Sequence, residues 1–584
     1  MTVVCLHDRT VVDDTALAAI ERVVPGHDLV VHVVADGTAV PDGCEVRFVP
    51  SPDGDEGREV LDPLLARFLR EIEPTARTLG LESAIDGARH DWRIRAQTAL
   101  HRCWVASQLR DPSTEKLLWI TDGVPADADR WAAALAACAG CEVQPLAVAG
   151  AAPATPPIRR LARSARRRWR RSAPARSRPV APVAGGALFV EPYAHIASMT
   201  ADIAEAVGAH LPVTFIGTTD DVVDRAGGLA GACSAGDIAG VRSEQPRDVE
   251  PLVRRSPSAW GAALAPVPEL VGPEVAAVMT AASIPDWRRG LAEDSRWRQV
   301  VADCAPRVVV ASTESRTPAR LAGIHGRQRG ARYVVVQHGA QRPPPAFLRP
   351  IADRYAVWGR RDADALVAAG VDRDRVTITG RPGFAERIAS ARRERPAAPA
   401  RPVVAYVPSV TGPHDVSAAL AADLLAAVAA AVHSVQGSGT VRPHPRDRSG
   451  VYDVPPPPIR LDDSDDSLQA MAQADVVVVA EGTSGFEACA LGRPVVALGW
   501  AGVRIPTELV DSGAASISRG PGDVAEALER ALEDEVVRGR LEVGRAAVVE
   551  EIFGDLRPGA AARIATVVRD EAGSASPSAR ATGG

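Results

Sequence analysis

The sequence predicts an α/β protein built as two Rossmann-like lobes preceded by a separate α/β domain. Three observations predict it. Apolar runs without polar alternation, such as Val476–Val479, read as parallel strands covered on both faces. These runs alternate with helical stretches, and the alternation restarts after residues 151–186 and again after the polar patch 391–401. A chain of 584 residues also exceeds what one core can organise, so about three domains are expected.

Taken in order, residues 1–150 carry strand signals at 2–6, 29–35, 46–49, 117–121 and 143–149, with one long helical stretch over 59–109. His7, Asp8, Asp122 and Gly123 fall at strand ends, where α/β sheets place ligands, but they also suit ordinary turns. Residues 151–186 form a Pro- and Arg-rich linker. Residues 187–395 make the first lobe, with strands at 187–190, 213–217, 307–311, 333–337, 354–358 and 376–379 and helices near 274–282, 287–304 and 318–329. Residues 396–570 make the second lobe. Its strands are 403–407 and 440–442, around an Ala-rich helix over 417–435, and its closing helices run from 523 to about 569. Residues 571–584 read as a disordered tail.

The stretch 474–500, ADVVVVAEGTSGFEACALGRPVVALGW, organises the second lobe. A buried strand is broken by a loop with two glycines, and Ser484-Gly485-Phe486-Glu487 fits the S-x-x-E capping box that starts a helix. Gly492-Arg493-Pro494 ends that helix before the next strand, 495–498. Free N–H groups at the helix start suit an anion, such as the diphosphate of a sugar nucleotide.

Composition excludes several classes. A hydrophobic content of 46% and a charged content of 24% are those of a soluble globular protein, and a net charge of −6 argues against a nucleic-acid binder. Lys116 is the only lysine, a coding bias with no functional content. Eight scattered cysteines make no disulfide framework, and the lone Cys138-x-x-Cys141 has no second pair to complete a zinc site. No apolar run nears the ~20 residues a membrane helix needs, and the N-terminus lacks signal-peptide character. A cytoplasmic protein is expected.

Two further strand ends carry polar groups: Gln337-His338-Gly339 after Val334–Val336, and Arg442-Pro443-His444-Pro445 after Val441. The two prolines hold the backbone extended and project Arg442 and His444. Each signal alone has a plain structural reading: a strand-end histidine is commonly a hydrogen-bonded support, and Glu487 is explained by capping Ser484. The order of all three is the more specific observation.

With that order, the chain resembles the bacterial surface-polysaccharide transferases of GT-B fold. TSGFEACALGRPVVALG (483–499) is similar to the capsular polysaccharide synthesis group, of Kdo transferase type. QHG and RPHP are similar in style to the CDP-glycerol glycerophosphotransferases. The resemblance covers roughly residues 300–515, with 357–359 and 378–382 at the lobe crossover, and leaves out 1–150. It implies His338 as general base toward the acceptor hydroxyl. It implies Arg442 and His444 on the donor phosphates, joined by Thr483, Ser484 and Gly485, with Glu487 on the ribose. Thr411, Gly412 and His414 would line the same cleft.

His195, in Val190-Glu-Pro-Tyr-Ala-His, is a rival base or acceptor contact, and Glu314 is another. Glu481-Gly482 stands where the glycerophosphotransferases have an aspartate-tyrosine pair, which weakens a CDP-glycerol donor. The resemblance implies no metal, and no cofactor is needed beyond the nucleotide-sugar substrate.

The leading function is metal-independent glycosyl transfer from a nucleotide-sugar to a cell-surface glycan or lipid-linked acceptor. Polyol-phosphate transfer and sugar-nucleotide epimerisation are alternatives, although VPSVTGPHD (407–415) lacks the basic signature that such epimerases show after this strand. A non-catalytic scaffold of polysaccharide assembly is the alternative of another class. The basic segment 158–172 within the linker suits peripheral attachment to the anionic inner face of a membrane, or a solvated tether. Deleting 158–172 should abolish pelleting with anionic liposomes; unchanged pelleting would eliminate the membrane role.

Overall fold

The computed structural model describes residues 3–7, 29–33, 45–48, 55–108, 116–122, 128–148, 184–226, 229, 232–234, 249–339, 349–393, 401–409, 416, 418–444, 447, 449–462, 464, 467–480, 482–500, 503, 505–554 and 556–575. Thr411, Gly412, His414, Glu481 and the basic segment 158–172 lie outside the described residues.

The strands group into three parallel sheets. The first holds β1 (Val3–His7), β2 (Leu29–Val33), β3 (Glu45–Phe48), β4 (Lys116–Asp122) and β5 (Glu142–Val148) in the order β3-β2-β1-β4-β5. Two helices, α1 (Asp55–Thr78) and α2 (Glu82–Gln108), occupy the stretch expected to be one. Gly80 parts them: its φ of +64° ends α1 in a left-handed turn that a side chain would strain. α3 (Ala128–Ala139) follows β4.

The second sheet holds β6 (Ala187–Glu191), β7 (Val213–Gly217), β8 (Ala232–Ser234), β9 (Val308–Ala311), β10 (Arg332–Val336), β11 (Arg354–Val357) and β12 (Val376–Ile378). Their order is β12-β11-β10-β9-β6-β7-β8. α4 (Ala197–Gly208), α5 (Asp220–Arg225), α6 (Glu250–Leu264), α7 (Pro273–Cys304), α8 (Thr317–Gln328), α9 (Arg360–Ala368) and α10 (Phe384–Arg393) surround or follow it. α7 runs unbroken through Pro285, where two helices were expected.

The third sheet is β15-β14-β13-β16-β17-β18, built from β13 (Val403–Val407), β14 (Ser438–Val441), β15 (Ile459–Leu461), β16 (Val476–Val479), β17 (Val495–Leu498) and β18 (Ala515–Ser518). Its helices are α11 (Ala418–Ser434), α12 (Ser467–Gln473), α13 (Ser484–Ala490), α14 (Thr507–Asp511), α15 (Asp523–Glu533) and α16 (Glu535–Phe553). The valines of β16 are buried completely or nearly so between β13 and β17, as an uninterrupted apolar run requires. In each large sheet the strand order reverses once, between β6 and β9 and between β13 and β16. Such reversals open a crevice at the carboxyl ends of the strands.

Two packing features tie the units together. Side chains from α1–α3 share one apolar cluster with α6 and α7. At its centre Phe68 stacks on Trp260 at 3.9 Å and on Trp92 at 5.4 Å, and Trp92 Nε1 donates to Ser283 Oγ at 2.9 Å. The last helix, α17 (Ala560–Ser574), covers the end of the stretch the sequence assigns to the second lobe and continues through 571–574, which the sequence reads as the start of a disordered tail. Its residues Ile564, Val568 and Ala572 pack instead with Phe189, Val308 and Val334 of the second sheet, the core of the first lobe, and Glu571 accepts from Arg332 and Arg354 at 2.7 and 2.8 Å.

The lobes meet closely at Gly359. A Cβ there would lie 2.4 Å from the Glu551 carbonyl oxygen and 2.5 Å from that of Ile552. Neither backbone oxygen can yield cheaply, so Gly359→Ala should destabilise by about 1–3 kcal/mol or more. A denaturant midpoint equal to that of the parent chain would refute this account of the glycine.

Candidate active site at the strand ends

Polar groups converge where β6, β9 and β10 end. His338, two residues past β10, is half-buried, and its Nδ1 lies 2.7 Å from the Ser312 carbonyl oxygen. A carbonyl can only accept, so Nδ1 carries the proton and Nε2 keeps its lone pair. Burial lowers the His338 pKa below its usual value, the Ser312 bond pulls the other way, and nearby Arg316 lowers it further. The Tyr193 ring centroid stands 5.1 Å from that of His338 and 5.5 Å from that of His195, which is exposed. Arg316 Nε donates to the Tyr193 hydroxyl at 3.1 Å, and its guanidinium lies over the same ring.

Behind this cluster is Glu191, the last residue of β6, with no exposed surface. Its Oε1 accepts from Tyr193 N at 2.8 Å and Ser312 Oγ at 2.9 Å, and its Oε2 accepts from Thr200 Oγ1 at 2.6 Å. Desolvation outweighs these three bonds and pushes its pKa up to about 7.

Glu314 occupies a different environment. Its carboxylate accepts from Tyr355 Oη at 2.7 Å and from the backbone of Ile351 and Ala352 at 2.9 and 3.2 Å. A carboxylate engaged by these three donors anchors the 351–355 segment.

In the second lobe Arg442 follows β14. Its Nη1 donates to the Ser464 carbonyl and lies 3.4 Å from Asp462 Oδ2, which fixes the guanidinium at the sheet end. His444, two residues on, is half-buried. Thr483 is the N-cap of α13, Ser484 opens the helix, and both are partly exposed. Gly485 is buried, and a Cβ there would meet Leu509 Cδ1 at 2.6 Å.

The expected capping box does not form. The helix starts at Ser484, but no side chain caps it, and Glu487 turns away to pair with Arg381 Nη1 at 2.6 Å. Glu487 is 8% exposed, so the ribose contact implied by the resemblance would compete with this pair. Arg381 itself sits 4.8 Å from the Trp358 ring and 4.4 Å from the Phe384 ring, a cation held between two aromatic faces. A second bridge runs from Gln337, whose Nε2 donates to Asp362 Oδ2 at 2.8 Å, through Arg361 to Glu508. Gln337 also holds Trp358 N and Nε1 at 2.7 and 3.0 Å. The residue next to His338 is thus wired to the lobe crossover.

Within 190–195 the sequence makes His195 conspicuous and Glu191 not. Its missed signal was an acid closing an otherwise apolar buried strand at the sheet's reversal point. Cavities of about 360 Å³ between α1, α2 and α8 and about 400 Å³ between α2, α7 and α8 are lined by none of the predicted site residues.

No family model matches this chain, and no curated protein does. Among solved structures it is similar to a UDP-GlcNAc 2-epimerase from Neisseria meningitidis bound to UDP-GlcNAc (TM-score 0.44, 12% identity, 66% of this chain and 99% of that one). It is similar to a putative UDP-N-acetylglucosamine 2-epimerase from Listeria monocytogenes (0.43, 13%, 67% and 98%). It is also similar to a glycosyltransferase from Rickettsia africae (0.40, 10%, 66% and 98%). None of the three reaches a TM-score of 0.5, so none decides between epimerase and transferase chemistry.

Because burial holds Glu191 protonated to a higher pH than in the unfolded chain, its ionisation costs stability. The stability present below pH 4.5 is lost as pH rises through about 7. Glu191→Gln should remove this dependence, so the parent should lose stability relative to the variant between pH 4.5 and 8 in denaturant titrations. A constant gap between the two would sink the assignment.

Proposed function

We propose that this chain is a glycosyltransferase of GT-B type that moves a sugar from a nucleotide-sugar to a cell-surface polysaccharide or lipid-linked acceptor. The observation that carries the reading is the His338 ring, half-buried at the strand ends with Nδ1 committed to the Ser312 carbonyl at 2.7 Å. Such a ring is neutral near pH 7 and offers Nε2 as a base.

In this reading Nε2 takes the proton of an acceptor hydroxyl as its oxygen bonds to the anomeric carbon. The bond from that carbon to the donor phosphate breaks, and the nucleoside diphosphate leaves with the electron pair. Arg442, His444 and the hydroxyl and N–H groups of Thr483, Ser484 and Gly485 meet the charge that grows on the phosphate. These cationic and N–H groups take the place of a metal ion.

Loss of the base typically costs about 10²–10⁴-fold in rate, so His338→Ala should lose turnover on that scale and keep donor binding. The donor is found first, by thermal shift with CMP, CDP, UDP, GDP and their sugars. The parent enzyme's rate should persist below pH 6.5 on the acid side, because the ring's pKa is depressed. Near-normal turnover in His338→Ala would overturn the assignment. Solvent hydrogen appearing at C2 of recovered UDP-GlcNAc, without acceptor, would instead favour epimerisation.

A further inference from the structure

We infer that Glu191 is the positioning residue for His338, holding the imidazole in its Nε2-basic form through Ser312 and Tyr193. One buried carboxylate oxygen reaches both walls around the ring. Glu191 Oε1 takes the Ser312 hydroxyl, whose own residue presents its carbonyl to His338 Nδ1, and it takes the Tyr193 N–H, whose residue lays its ring beside His338. Oε2 takes Thr200 Oγ1 from α4, which fixes the carboxylate's own rotation.

Neither wall reaches His338 with a charged side chain of this set, so Glu191 acts at second hand, by orientation. Without the carboxylate, the Ser312 hydroxyl and the Tyr193 N–H must find other acceptors, and both loops are free to turn. The Nδ1 acceptor then moves, and the tautomer of the ring is no longer dictated. Glutamine keeps the essential part: its amide oxygen accepts the same two bonds, and its NH₂ donates to Thr200 Oγ1. That hydroxyl can then donate to the Ile196 carbonyl 3.4 Å away.

This inference rests on reading His338 as the base, but its test does not use turnover. Diethyl pyrocarbonate reacts with the imidazole lone pair, and peptide mass spectrometry follows each histidine of the full chain separately at pH 7.5. The exposed His433 in the second lobe serves as internal reference. A lost hydrogen bond to a charged group is a large perturbation, so Glu191→Ala should change the His338 rate by about fivefold or more relative to His433. Glu191→Gln should leave it close to the parent's. If Glu191→Ala does not fold, Ser312→Ala, which cuts the link and keeps the carboxylate, should shift the His338 rate in the same way. An unchanged His338 rate in folded Glu191→Ala, or in Ser312→Ala where only that variant folds, overturns the inference. Failure of the base assignment would show separately, as turnover that survives His338→Ala.

Discussion

The constraint on which the two large sheets depend is that their central strands are buried on both faces. A parallel strand enclosed by helices on either side cannot carry polar side chains along its length without large desolvation costs. The valines of β16 and the apolar residues of β6, β9 and β10 obey this rule. Chemistry is therefore pushed to the carboxyl ends, where the backbone leaves the sheet. Glu191, Ser312, Gln337, His338, Arg442 and Ser484 all stand there. Among them Glu191 has no exposed surface, and its desolvated carboxylate receives three donors.

Much of this was legible because it is local. A run of valines needs no partner to announce a buried strand, and glycine with a hydroxyl after it announces a helix start. Strand positions in the lobes match the sequence reading to within one or two residues for most elements, and β13, β16 and β17 fall on the residues expected. The short edge strands β8, β15 and β18 were missed, since three or four residues with mixed burial give no periodic signal.

The illegible part is what depends on distant partners. Ser484 and Glu487 have the spacing of a capping box, yet Arg381, 106 residues away in sequence, takes the carboxylate. A guanidinium held between Trp358 and Phe384 is a stronger partner than one backbone N–H. Phe68, Trp92 and Trp260 read as three unrelated aromatics until the helices bring them into one stack. Nothing near Glu314 in sequence reveals Tyr355 or the 351–352 amides as its donors.

The return of α17 to the first lobe has a mechanical meaning. The chain passes between lobes once after β12, since Phe384, Ile388 and Ala391 of α10 already pack on the third sheet, and again after α16, and the two passages are stitched where Arg563 Nε donates to the Thr379 carbonyl at 2.9 Å. With the Arg381–Glu487 and Arg361–Glu508 ion pairs spanning the same seam, a break in the chain at one passage would leave the lobes still tethered by the other.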